Sequence, residues 1–230
     1  MPHNILIIGN SDGIGAAVTR KLIARGDRVI GISRSPSPLG PDGPKHYVQD
    51  VSALDYPKLL RRVINSEGPF DACIFCVAIG SGLQWPDLSN EPKVIDINFT
   101  AMVRTFEAIV PGWLNQGSGH FVGLSSLADG FYNEHSPSYT ASKAGVSSYL
   151  VSMGLKLKPV GVSVTNIRFG FVDTKLPTVS WKPLMMTTVQ ASQHILDCLE
   201  KKPIQYSAPK IMAGLVTGYR WAQSVRLWFS

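Results

Sequence analysis

The sequence predicts an α/β fold: an open, doubly wound parallel sheet with helices on both faces. Short apolar runs alternate with longer amphipathic segments, the pattern of βαβ units feeding a covered parallel sheet. A glycine-rich turn follows the first run and opens a helical segment. At 230 residues the chain fits one core, so residues 1–230 are read as a single domain.

Strands are expected at Ile5–Ile8, Arg28–Ser33, His46–Gln49, Asp71–Val77, His120–Leu124 and Val162–Arg168, with a seventh near Gln205–Ala208. Helical periodicity is clearest at Gly15–Ala24, Tyr56–Ser66, Lys93–Asn115, Ser138–Leu157 and Thr188–Lys201. Each helix joins two strands, as right-handed crossovers require. Proline and glycine mark a loop after the second strand, another at Gly80–Pro92, and a break from Thr174 to Thr187 that reads as a loop over the site.

Composition narrows the function classes. Hydrophobic residues make up 44% and charged residues 17% of the chain, enough apolar surface for a globular, soluble protein. The N-terminus lacks the features of an export signal, and no run approaches the roughly 18 apolar residues of a membrane span. Three cysteines fit a reducing compartment, so a cytoplasmic location is expected. Cys73 and Cys76 form a CxxC inside an apparent strand, where residues three apart point to opposite faces; they read as buried hydrophobes. No cluster has metal-ligand spacing, and no metal is expected.

The net charge of +6 is unevenly placed. Lys201, Lys202, Lys210, Arg220 and Arg226 lie in the last thirty residues without any acidic residue, so the body carries only +1. It offers no basic stripe for a phosphate backbone, and nucleic acid is not an expected partner. Within residues 211–230, Ile211, Leu215, Tyr219, Ala222, Val225 and Phe229 recur at helical spacing. This basic, aromatic tail reads as a helix that closes over the substrate pocket or packs at a subunit interface. Peripheral contact with an anionic membrane is the alternative.

The chemistry-bearing residues fall at two places. After the first strand comes Gly9-Asn10-Ser11-Asp12-Gly13-Ile14-Gly15, where glycines permit a tight turn and close approach of backbone N–H groups to a pyrophosphate. The second strand ends in Ser33-Arg34. An arginine there suits a ribose 2′-phosphate, whereas NAD sites place an acid at this point. NADP(H) is therefore favoured and NAD(H) stays open, because the Asp12 charge would repel a phosphate. Asp50, followed by Val51, either meets an adenine amino group or caps the next turn.

At the second place, Tyr139 and Lys143 are four apart and share a helix face. Ser126 ends the fifth strand, at the edge where open sheets hold ligands. Carbonyl reduction needs a hydride and a proton for the developing oxyanion. Tyrosine, with a reference pKa near 10, would supply the proton with its acidity raised by a neighbouring ammonium. Ser126 would hold the substrate oxygen by a hydrogen bond.

These residues together resemble the short-chain dehydrogenase/reductase family: GxxxGxG at Gly9, Gly13 and Gly15, Asn98 in the fourth helix segment, Ser126, YxxxK at Tyr139 and Lys143, and GxVxT from Gly170 to Thr174. The resemblance implies a Rossmann-type sheet and an oxidoreductase acting on a small carbonyl or alcohol. It further implies a water held by Asn98, a nicotinamide ribose bound by Lys143, and a nicotinamide contacted near Val172 and Thr174. Contacts from Val77 and Ala78, and a homo-dimer or homo-tetramer through the helices around 93–115 and 138–157, are also implied. The chain departs from the family at Phe75-Cys76-Val77-Ala78, at Ile8 and at Phe169. A non-catalytic nucleotide-binding sensor or scaffold of the same fold is the competing expectation.

Overall fold

The computed structural model describes residues 2–40, 43–80, 82–176 and 183–229. Seven strands, β1 (Asn4–Ile8), β2 (Arg28–Ser33), β3 (Lys45–Val48), β4 (Ala72–Phe75), β5 (Gly119–Ser126), β6 (Val162–Phe169) and β7 (Gln205–Ala208), form one sheet. Their order is β3-β2-β1-β4-β5-β6-β7, and every neighbouring pair is parallel. The helices are α1 (Gly13–Ala24), α2 (Tyr56–Glu67), α3 (Asn90–Ile95), α4 (Ala101–Gln116), α5 (Pro137–Leu157), α6 (Thr188–Lys201) and α7 (Lys210–Trp228).

The chain leaves β1 towards β2 and β3 on one side, then returns through α2 to β4 on the other. This reversal separates the loops that follow β1 and β4 and opens a crevice at their carboxyl ends.

The strands are apolar throughout because both sheet faces are covered. In β1, Leu6 and Ile8 pack with Leu60 of α2, Phe106 of α4 and Leu150 of α5. Ile5 and Ile7 pack with Val18 and Leu22 of α1 and Ile195 of α6. Cys73 belongs to the first cluster and Cys76 packs against the second, so the CxxC straddles the sheet. Burial pushes the Cys76 thiol up to about 12, far from the thiolate that redox or metal chemistry needs.

Two expectations change. The single helix read over Lys93–Asn115 is broken: α3 and α4 are joined by a π-helical turn, Asp96–Thr100, that widens around Asn98. Its cause is a long-range contact described below. The tail is helical, but no residue of α7 is buried. It rests on the 3₁₀ turn Leu127–Gly130 and on Tyr132. Gln223 accepts from the Tyr132 N–H at 2.9 Å and donates to the Tyr132 carbonyl at 2.8 Å. The Arg220 guanidinium lies 4.1 Å from the Tyr132 ring centre, within cation–π reach. The stripe read from the sequence through Ile211, Leu215 and Val225 is exposed rather than turned inward.

Candidate active site

The crevice is shaped first by three glycines. Gly9 and Gly13 take φ of +89° and +54°, the left-handed region that L side chains disfavour. A Cβ on Gly15 would lie 1.8 Å from the Gly9 carbonyl oxygen, so the loop and the first turn of α1 close only with glycine there. Asp12 caps α1 by accepting the Gly13 N–H at 2.8 Å.

The resulting cleft has a volume of about 550 Å3 and runs from the β2 end to α5. Ser11, Asp12, Ile14 and the three glycines form its floor; Ser33 and Arg34 come from the end of β2, and Asp50 and Val51 from beyond β3. Val77 and Ala78 follow β4, Lys143 projects from α5, and Thr174 follows β6. Five sequence-predicted residues are not on this lining: Asn98, Ser126, Tyr139, Gly170 and Val172. Tyr139 stands just behind it, since a Cβ added to Gly80 in the cleft wall would lie 3.7 Å from its ring. Ser126 lies close enough to the Tyr139 phenol to favour its ionisation, and it accepts from the Ala128 N–H at 3.1 Å.

Gly170 and Val172 make packing contacts. Gly170 donates to the Ala208 carbonyl at 2.8 Å, and its missing side chain makes room for Met212 of α7. Val172 is buried and bridges to Met186. Part of the loop read over Thr174–Thr187, namely 177–182, lies outside the described residues.

Asn98 is also committed. Its amide oxygen accepts the Ile79 N–H and its nitrogen donates to the Ile79 carbonyl, both at 2.8 Å. The second amide proton goes to Ser142 at 3.1 Å. Ser142 in turn donates to the Tyr139 carbonyl at 2.8 Å. The π-helical turn accommodates this bridge between helix and strand end.

The electrostatics differ from the sequence expectation in one respect. The Tyr139 phenol is shifted up, because burial outweighs the influence of the nearby Ser126 hydroxyl, which favours ionisation, and Asp129 adds to the rise. The Lys143 ammonium is not what sets it: Nζ donates to the Leu124 carbonyl at 2.9 Å and lies 5.8 Å from the Tyr139 ring centre. Burial holds Lys143 itself down to about 8, against a smaller upward pull from Asp129.

Asp50 does cap the next turn, accepting from the Ser52 N–H and hydroxyl at 2.8 and 2.6 Å while still facing the cleft. Those bonds, then Arg34 and Lys93, hold its carboxyl low. Asp12 is neutralised by a residue that the sequence reading missed: Lys175 Nζ lies 2.6 Å from its carboxylate. No spacing rule links positions so far apart. Gln49, Gly80 and Leu176 are among the other lining residues that were likewise not anticipated.

A second hollow of about 410 Å3 lies outside α5, beside Ser147 and Arg168. Its charged groups satisfy one another: Arg168 holds Asp129 by paired bonds of 2.6 and 2.7 Å, and Ser147 donates to the same carboxylate. His135 and Glu134 point to solvent.

The chain matches the family model for short chain dehydrogenase over residues 3–183. It belongs to the short-chain dehydrogenase family. As such it is an oxidoreductase that uses NAD or NADP. An uncharacterized oxidoreductase of Staphylococcus saprophyticus is 29% identical over 184 residues, 74% of this chain and 79% of that protein. The 3-oxoacyl-[acyl-carrier-protein] reductase of Vibrio harveyi is 27% identical over 185 residues, 74% of each chain. Among solved structures, a short-chain dehydrogenase from Streptomyces avermitilis superposes with TM-score 0.85 at 20% identity, covering 99% of this chain and 95% of its own. A short chain dehydrogenase from Burkholderia cenocepacia in complex with NADP gives TM-score 0.84 at 21% identity, covering 98% and 97%. These two likenesses establish the shared fold.

Proposed function

We propose that this short-chain dehydrogenase interconverts a carbonyl and a secondary alcohol with NADP(H), Tyr139 exchanging the proton. The observation that carries this reading is the Tyr139 ring, packed against Gly80 of the cleft wall and 5.8 Å from the buried Lys143 Nζ, with Ser126 beside its phenol.

The residues present fit a dinucleotide. Glycine at positions 9, 13 and 15 leaves backbone room at the helix end that attracts a pyrophosphate. Exposed Arg34 at the cleft rim is suited to a 2′-phosphate. The bound nicotinamide supplies or takes the hydride. Tyr139, held protonated by burial, donates its phenolic proton to the substrate oxygen in reduction and recovers it in oxidation. Ser126 orients that oxygen by its hydroxyl, and the Lys143 ammonium reaches the cleft where the nicotinamide ribose would lie. Asn98 and Ser142 position Tyr139 through its own carbonyl.

The NADP complex of the Burkholderia protein and the reductase name of the Vibrio relative support the cofactor and the carbonyl substrate class. A cytoplasmic location, and a homo-dimer or homo-tetramer through α4 and α5, follow from the same reading. Tyr139→Phe tests it. On an identified carbonyl substrate, turnover should fall at least about a thousandfold with NADPH affinity unchanged; full turnover by the variant would end the mechanism.

A further inference from the structure

The unabsorbed feature of the fold is the outward face of α7. At 100° per residue, Ile211, Leu215, Trp221, Val225 and Phe229 fall within an arc of about 120°. All five are exposed, Trp221 at 72% and Phe229 at 89%. Lys210 and Arg226 stand at the two margins of this arc, both solvent-exposed, and no carboxylate among the described residues pairs with either. Trp228, 89% exposed, lies beside Lys210 on the wheel. The opposite face is already occupied, since Val216, Arg220 and Gln223 fix the helix to Gly130 and Tyr132. The helix is therefore held in place by one face while the apolar one meets solvent.

We infer that this face docks on an anionic lipid bilayer, with α7 lying in the plane of the surface. Aromatic rings suit the headgroup boundary, and cationic flanks suit acidic headgroups. No helix of the described residues is long and apolar enough to cross a membrane, so the contact is peripheral. A second copy of the chain fits less well. From Lys201 onward every charged residue is basic, and pairing two such faces would set like charges against each other. An acidic surface offers the opposite sign over the whole length of the helix.

The test sediments the full-length protein with phosphatidylcholine vesicles, alone or carrying about 30% phosphatidylserine, while tryptophan emission is followed. Anionic vesicles should bind it about tenfold better than neutral ones. Emission should shift to the blue, and binding should be lost at about 0.5 M salt. Arg226→Glu with Lys210→Glu should lower binding at least about tenfold, with NADPH affinity and helix content unchanged. Equal sedimentation with both vesicle types, or full binding by the charge-reversed variant, would overturn the inference. So would a concentration-dependent dimer that Val225→Glu dissociates while the parent ignores vesicles, since the face would then be a subunit contact.

Discussion

Lys175 Nζ lies 2.6 Å from Asp12 Oδ2, joining the segment after β6 to the glycine loop across the mouth of the cleft. Thr174 brings the same two segments together, since a Cβ on Gly13 would touch its methyl at 3.4 Å. The pair places an anion where a pyrophosphate is expected and masks it with a cation. Removing Lys175 should therefore affect the cofactor far more than the fold. For Lys175→Ala we expect NADPH to bind about fivefold to tenfold more weakly, with the melting temperature nearly unchanged because both groups are mostly exposed. Asp12→Asn in the same chain should restore most of the affinity. Fluorescence titration of the four proteins in this cycle reads the coupling directly.

Arg34 should divide the two dinucleotides. Among the described residues, its exposed guanidinium at the rim feels the distant attraction of Asp50. Arg34→Ala should weaken NADPH binding by about tenfold to a hundredfold and leave NADH within about twofold. An equal loss for both would show that Arg34 does not meet the 2′-phosphate.

The alkaline side of the activity profile should belong to Lys143. Burial holds its ammonium down to about 8, while Tyr139 is shifted upward and stays protonated. On the proposed mechanism reduction uses the phenolic proton and the neighbouring positive charge, so it should be constant below this value and decline as pH rises through about 8. The slope of kcat against pH with saturating NADPH and substrate checks it; a plateau extending past pH 10 would contradict the assignment.

Acid stability should depend on His120, whose ring is buried in β5 against Thr165 at 2.8 Å. Burial, with a smaller contribution from Lys202, depresses its pKa to about 3, against about 6.5 for a free imidazole. The unfolded chain thus takes up the proton first. This contribution is complete above pH 6.5 and drains away as pH falls towards 3, at about 1.4 kcal/mol per unit. Urea melts between pH 7 and 4.5 should show a shallower decline for His120→Asn than for the parent.

The sheet was readable from the sequence because its strands are buried on both faces and therefore appear as uninterrupted apolar runs. The seventh strand, short and half-exposed, was correspondingly faint. Glycine spacing and the i,i+4 pair of Tyr139 and Lys143 are local patterns, and local patterns survive in one dimension. What escaped was set by distant partners. The interruption of the helix at Asn98 depends on Ile79, the masking of Asp12 on Lys175, and the pairing of Asp129 on Arg168. The tail shows a different limit: periodicity reveals that α7 has an apolar stripe and says nothing of which way it turns. For Tyr139 the missing quantity was burial, which reversed the direction of its shift.

Asn98 gives Ile79 both bonds that a neighbouring strand would give, at the point where β4 has run out of partners. Through Ser142 the same amide reaches the carbonyl of Tyr139. The wall of the nucleotide cleft and the helix that carries the phenol are thus spliced like two planks under one dowel. The cleft wall cannot drift from the phenol-bearing helix without breaking a buried bond. On the proposed mechanism, the alignment of the Tyr139 phenol with the nucleotide cleft is thereby built in before cofactor or substrate arrives.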